Sequence, residues 1–293
     1  MDETNYFLLK KLLENSRVTY RELADMTDMS VSAIHKRIRS LIDDGFITAF
    51  IARPSYVALK SLLVVIYGTS KAKSMDEVSK ELGQHESVHY IGISGGKYLQ
   101  VSAFLRDISE LQEYSSLVSR VAHISEPTIR IVNLAYLTLP EPLTSIDFKI
   151  LKTLNRDARK PITDIADDVG ISAKTVRKRL DRMVENNLAT FTIELIIHKI
   201  IYVTVFHIYL NEGTDLNSAI QRINEKYSKN LVYCLNYSNI PNYITVHTWA
   251  LNAQESQRIQ EELQNEGFKD IVPRIFLSAK WYECWIDQLL RTK

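Results

Sequence analysis

Two short stretches hold the side chains best suited to chemistry in this sequence, and the chemistry they suit is recognition of a polyanion. Ser32, His35, Lys36, Arg37 and Arg39 fall between Ser30 and Ile47; Lys174, Thr175, Arg177, Lys178 and Arg182 fall between Ser172 and Ala189. Lysine and arginine at this density meet phosphate oxygens and guanine edges, while serine, threonine and histidine add shorter hydrogen bonds. The polar positions alternate with apolar ones at helical spacing: Ile34, Ile38, Leu41 and Ile42 in the first stretch, Val176, Leu180, Met183 and Val184 in the second. That spacing predicts two amphipathic helices, each turning a basic face outward.

Such a helix reads DNA only if other elements brace it. Upstream of the first stretch, Tyr6, Leu8, Leu9, Leu12 and Leu13 predict a helix over Glu3 to Asn15, and a second runs from Thr19 through Thr27. Thr19 followed three residues later by Glu22 has the form of a capping box. Asp28 and Met29 make the turn, Ser30 caps the third helix, and Gly45 ends it in a left-handed turn. Phe46 to Ala52 then extends as a wing. Two packed helices bracing a third with a narrow polar face is the helix-turn-helix arrangement, which enters the major groove. A solvated basic helix in a bundle would share the pattern, but not its recurrence at the same place in a second module.

That recurrence is ungapped: Asn5 through Thr48 aligns with Asp147 through Thr190, matching Leu9 to Leu151, Arg17 to Arg159, Ser30 to Ser172 and Arg37 to Arg179. In the second copy Pro161 begins the middle helix and Gly170 makes the turn. One repeat at half of 293 residues means two tandem modules, not a solenoid. The net charge of +1 conceals an uneven distribution. Residues 143–199 hold 11 Lys and Arg against 8 Asp and Glu, whereas residues 1–56 hold 8 against 8, so the second reader is expected to be the stronger phosphate anchor.

Each reader is followed by a predicted βαββαβ order, the ferredoxin-like arrangement. In the first module the strand LLVVIYG from Leu62 precedes a helix (Met75 to Leu82), two strands joined at Ser94-Gly95-Gly96-Lys97, a helix (Ile108 to Val121) and a strand (Thr128 to Leu137). In the second the order is Ile200 to Leu210, a helix from Leu216 to Tyr227, strands Leu231 to Tyr237 and Tyr243 to Leu251, a helix from Gln254 to Asn265, and a strand from Ile271 to Trp281. The fold class is therefore α+β, with four units expected: readers at 1–56 and 143–199, sheet domains at 57–142 and 200–293.

Other chemistries find little support. His85-Glu86-Ser87-Val88-His89 matches HExxH, but Gly83 ends the preceding helix and Val88 and Tyr90 begin a strand. Four residues of strand span about 13 Å, too far for two ligands on one ion. Cys234 and Cys284 have no ligand spacing, which suits a reducing compartment. The MDETNYFLLKK start lacks a secretory core, and Ile193 to Leu210 is interrupted by Glu194, His198, Lys199 and His207, so a cytoplasmic protein without metal or cofactor is expected.

Both readers resemble the DNA-binding domain of the Lrp/AsnC (feast/famine) transcription regulators. Asp147, Ile150, Leu151, Arg159, Ile171, Ser172, Val176 and Arg179 fit that family's pattern; in the first copy Asn5 replaces the Asp, while Leu8, Leu9, Arg17, Ser30, Arg37, Leu41, Gly45 and Ile47 keep the rest. The resemblance implies a regulator that binds double-stranded DNA through the ten polar residues named at the outset. It further implies RAM-type sheet domains that pair subunits, hence a homodimer, and an amino-acid effector near Ser94, Gly95, Gly96 and Lys97. The second copy has YSNIPNY at that turn, where Pro241 removes a backbone donor. Two other readings share the architecture. Siroheme decarboxylases resemble Lrp/AsnC proteins and work as pairs of related subunits, though a tetrapyrrole enzyme has no need of basic third helices. An architectural protein with little sequence preference is the third.

Overall fold

Helix formation in the first reader follows its local chemistry. In the computed structural model, which describes residues 2–133, 142–196 and 202–292, α1 (Glu3–Glu14), α2 (Tyr20–Thr27) and α3 (Val31–Asp43) each begin at a side-chain cap. Asp2 accepts from the Asn5 amide, Thr19 and Glu22 form the reciprocal capping box, and the Ser30 hydroxyl accepts from the Ala33 amide at 3.2 Å. Each such cap stabilises its helix by about 1 kcal/mol. Leu9, Leu12, Ile34 and Ile38 are wholly buried between the three helices, each worth about 1.5–3 kcal/mol over exposure. Gly45 and Gly170 both take positive φ, as their turns require.

The strand β1 (Ile47–Pro54) leads into the first sheet unit: β2 (Leu62–Thr69), α4 (Met75–Leu82), β3 (Val88–Ser94), β4 (Tyr98–Leu105), α5 (Leu111–Ala122) and β5 (Thr128–Ile131). The second module repeats the order with α6 (Ser145–Leu154), α7 (Ile162–Val169), α8 (Ala173–Glu185) and β6 (Ala189–Leu195). It continues with β7 (Tyr202–Tyr209), α9 (Leu216–Lys226), β8 (Leu231–Asn236), β9 (Tyr243–Ala250), α10 (Ala253–Gln264), β10 (Asp270–Trp281) and a closing helix α11 (Trp285–Thr292).

Strands run β5-β2-β4-β3-β10-β7-β9-β8 in one eight-stranded sheet, so each half has the ferredoxin-like order and the halves join within a single chain. The 12-residue β10 makes the join: Asp270 to Ile275 pairs with β7, and Phe276 to Trp281 continues onto β3. Beside Gly92 the ring of Phe276 occupies the space a Cβ would need, at 2.8 Å, so β3 and β10 meet closely there. The opposite edges also touch, through a Val132–Tyr237 bridge and the Asn133 amide on the Asn236 carbonyl. A buried cluster of Val65, Tyr67, Tyr237 and Tyr243 lies where the halves face one another.

Several elements differ from the sequence expectation. The extended wing is the strand β1, which runs on to Pro54 and pairs antiparallel with β6 of the other reader, a partner that spacing does not indicate, with Ile51 opposite Thr192 and Phe50 opposite Ile193. Each strand needs a partner for its backbone groups, and its repeat copy supplies one. Residues 108–110 form a short 3-10 turn before α5. The expected strand ends over 134–137 and 200–201 lie outside the described residues. Among the described residues the α11 helix has no counterpart in the repeat; its Leu290 joins the second reader's core, and Asp287 meets Arg53 of β1 at 3.4 Å and accepts from the Asn155 side-chain amide after α6 at 3.4 Å. Among the described residues no helix is long and apolar enough to cross a membrane.

Candidate nucleic-acid interface

On α3, Ile34, Ile38 and Leu41 face the core while Ser32, His35, Lys36 and Arg39 are exposed on the other side. His35 stands edge-on to Tyr20 with ring centres 5.2 Å apart, and Arg39 pairs with Asp43 at 3.1 Å one turn on. Lys36 is exposed. Arg37 points the other way: it is half-buried and donates to Asp2 at 2.7 Å and Asn5 at 2.9 Å, tying α3 to the start of α1.

The second reader repeats this inner lock in stronger form. Asp147, at 0% exposure, receives Arg182 at 2.7 Å and Arg179 at 3.4 Å, while also capping α6 through the Thr144 amide and hydroxyl. Sequence spacing places Arg37 and Arg182 among the DNA contacts; in the structure each spans 35 residues to fasten its helix to its own module. The remaining polar positions of α8 divide between two faces. Lys174, Thr175 and Lys178 border an open concavity of about 450 Å³ together with Arg179 and Arg182, a rim of four cations and one hydroxyl. Arg177 lines a different groove, of about 530 Å³, shared with Asp181, Glu185 and the first reader's Glu14 and Glu22. Lys11 and Arg17 line the same groove, whereas the concavity beside Lys174 and Lys178 holds no carboxylate, so these two lysines are the better phosphate anchors.

Two residues that sequence spacing aligned but did not connect fix the readers to one another. Arg17 donates to the Ala158 carbonyl at 2.6 Å, and Arg159, its repeat counterpart, donates to the Ser16 and Val18 carbonyls at 2.8 and 3.0 Å. Arg159 also lies over Tyr20, 4.4 Å from the ring centre. Burial lowers the pKa of both guanidinium groups, and at Arg17 the nearby charge of Arg159 adds to the effect. Each arginine satisfies turn carbonyls of the other module, so the two basic helices are held in one fixed relation.

The turn expected to hold an effector is a 3-10 turn, Gly95–Lys97, with Gly96 and Lys97 at positive φ. The Lys97 ammonium donates to the Ala72 carbonyl at 2.8 Å, while Ser94 is buried with its hydroxyl unpartnered. Of the HExxH residues, His85 lies in the turn after α4 and His89 in β3, stacked on Phe104 at 4.1 Å. Burial, reinforced by Arg53, holds His89 well below the usual imidazole range.

Comparison with known proteins agrees with this geometry. Residues 143–184 match an AsnC-type helix-turn-helix domain, and residues 1–48 match a winged helix-turn-helix DNA-binding model. An uncharacterized HTH-type transcriptional regulator of Pyrococcus furiosus is 32% identical over 116 residues, covering 39% of this chain and 78% of the relative. The regulator LrpA of Pyrococcus horikoshii is 26% identical over 118 residues, covering 40% and 84%. Over its whole length the chain shares a fold with the siroheme decarboxylase NirDL, with a TM-score of 0.61 at 13% identity and 99% and 98% coverage. At that identity the likeness is one of fold alone.

Proposed function

The chain belongs to the Lrp/AsnC family of helix-turn-helix regulators, and from that premise we propose that it is a DNA-binding transcription regulator whose two readers contribute unequally. The reading rests above all on one observation: in both readers the inner arginines are consumed by Asp2, Asn5 and Asp147, yet basic residues remain exposed on the outer face. Lys36 serves the first reader and Lys174 and Lys178 the second, with Ser32, His35 and Thr175 as shorter donors. Reader units at 1–56 and 143–199 and sheet units at 57–142 and 200–293 form one asymmetric DNA-binding body. Fusion of unlike halves frees it from a palindromic site.

The named relatives are regulators, which points away from catalysis. The sheet edges that would join two subunits are already joined inside this chain. A homodimer would therefore use other surfaces and would display four readers. Mobility shift with genomic fragments tests the proposal. Salt-sensitive complexes weakened by Lys174→Ala with Lys178→Ala are expected; absence of any complex at low salt overturns it.

A further inference from the structure

A cavity of about 310 Å³ lies where the readers meet the joined sheets. Its walls are Tyr90, Tyr233, His247, Trp249, Phe276 and Trp281, contributed by four strands from both halves of the sheet. Leu13 of α1 and Leu195 of β6 close it from the readers' side. The rings are mutually braced: Tyr233 stacks on His247 at 4.1 Å, Tyr90 meets Trp281 at 4.7 Å, and Trp249 packs edge-on to Tyr6 at 5.3 Å. The volume is at the lower end of small-molecule sites, sufficient for about two fused rings.

Two polar atoms on these walls lack partners. His247 is 2% exposed with Nε2 unbonded, and the Trp281 indole Nε1 is likewise buried and unbonded. A buried donor or acceptor left open costs about 1–3 kcal/mol, and a ligand with a hydrogen-bonding group would relieve one of them. Burial, with a smaller contribution from His207, pushes the His247 pKa down to about 3, so the ring is neutral at ordinary pH. The lining carries one charged residue, Glu14, which pairs with Lys11 at 2.7 Å; the aromatic and aliphatic walls disfavour a charged occupant, and Glu14 disfavours an anion further.

We propose that this cavity binds an uncharged aromatic compound of about two rings carrying a hydroxyl or carbonyl edge, and that the bound compound acts as an effector of DNA binding. A hydroxyl would meet either His247 Nε2 or Trp281 Nε1, which lie on strands two apart in the sheet. Because α1 and β6 belong to different readers, an occupant touches both and the sheets at once. The effector role rests on the DNA-binding reading; the site itself does not.

The test uses the full chain and 2-naphthol, titrated by calorimetry, with 2-naphthoate as the charged counterpart. Saturable binding of one 2-naphthol per chain is expected, at least tenfold weaker for 2-naphthoate, about tenfold weaker in His247→Phe, and lost in Val232→Phe, since Val232 of β8 also lines the cavity and a phenyl ring there fills it. Circular dichroism checks that both variants fold, and the wild-type titration stands without them. No saturable binding, equal affinity for 2-naphthoate, or full binding in folded Val232→Phe overturns the site. Mobility shifts with and without saturating 2-naphthol should differ at least threefold in DNA affinity. Unchanged DNA affinity overturns the effector role. Failure to bind DNA at all, with calorimetric binding intact, overturns the regulator reading and the effector role together while the site stands.

Discussion

Replacing Asp147 tests whether the inner lock holds the second reader together. Asp147→Ala removes a wholly buried carboxylate that accepts from the Thr144 amide at 2.8 Å, the Thr144 hydroxyl at 2.7 Å, Arg182 at 2.7 Å and Arg179 at 3.4 Å. Thr144 stays as the N-cap, and loss of the reciprocal half of the capping box costs about 1 kcal/mol. Stripping a buried partner from a cation costs about 3–5 kcal/mol when both are enclosed. Arg179 and Arg182 keep 28% and 24% side-chain exposure, so water recovers much of that. The net expectation is about 3 kcal/mol. In the first reader Asn5 stands at the equivalent place and Asp2 shares the arginine, so Asn5→Ala should cost only about 1 kcal/mol. Urea unfolding followed by circular dichroism would read the difference as a midpoint shift of about 1 M for Asp147→Ala at a slope of about 3 kcal/mol per M. Equal losses in the two variants, or less than about 1 kcal/mol for Asp147→Ala, would refute the lock.

Three further outcomes follow from other contacts. Arg159→Ala removes two charge-assisted bonds to Ser16 and Val18 and the contact with Tyr20, and should cost about 2 kcal/mol in the same unfolding assay; no loss would show that the readers are not held by this residue. Burial pushes the His207 and His247 pKa values down to about 3 from 6.5. The unfolded chain takes up those protons first, so stability is full above about pH 6.5 and falls as pH drops toward 3, by about 2 kcal/mol per histidine at pH 5. Unfolding curves that coincide at pH 7.5 and pH 5 would contradict that burial. At Gly83 an added Cβ would lie 2.0 Å from the Tyr282 ring, whose hydroxyl bonds Ser79; Gly83→Ala should lower stability by about 1–3 kcal/mol, and an unchanged midpoint would show that Tyr282 moves freely.

What the sequence made legible was local. Thr19 and Glu22 lie three residues apart, Ser30 and Ser172 precede helices they cap directly, and Gly170 sits at its own turn, so chemistry within a few residues determined the outcome. The repeat extended the same reading to the second module. What escaped it depends on residues far apart. Arg37 and Arg182 look identical in sequence to free basic residues, and only the fold brings Asp2 and Asp147 against them. The β1–β6 pairing joins residues more than a hundred positions apart, and β10 runs long because half of it pairs with the first module's half of the sheet. In α11, an eight-residue helix, Leu290 packs only where the second reader meets it. The cavity has no sequence signature because its rings come from separate strands in both modules.

The most direct test of the central claim is the salt dependence of DNA binding in two variants. If Lys174 and Lys178 are phosphate anchors, their joint replacement by Ala should reduce the slope of log affinity against log salt by about 1.8, and Lys36→Ala should reduce it by about 0.9. Slopes equal to that of the unaltered chain in both variants would contradict the assignment of these helices as DNA readers.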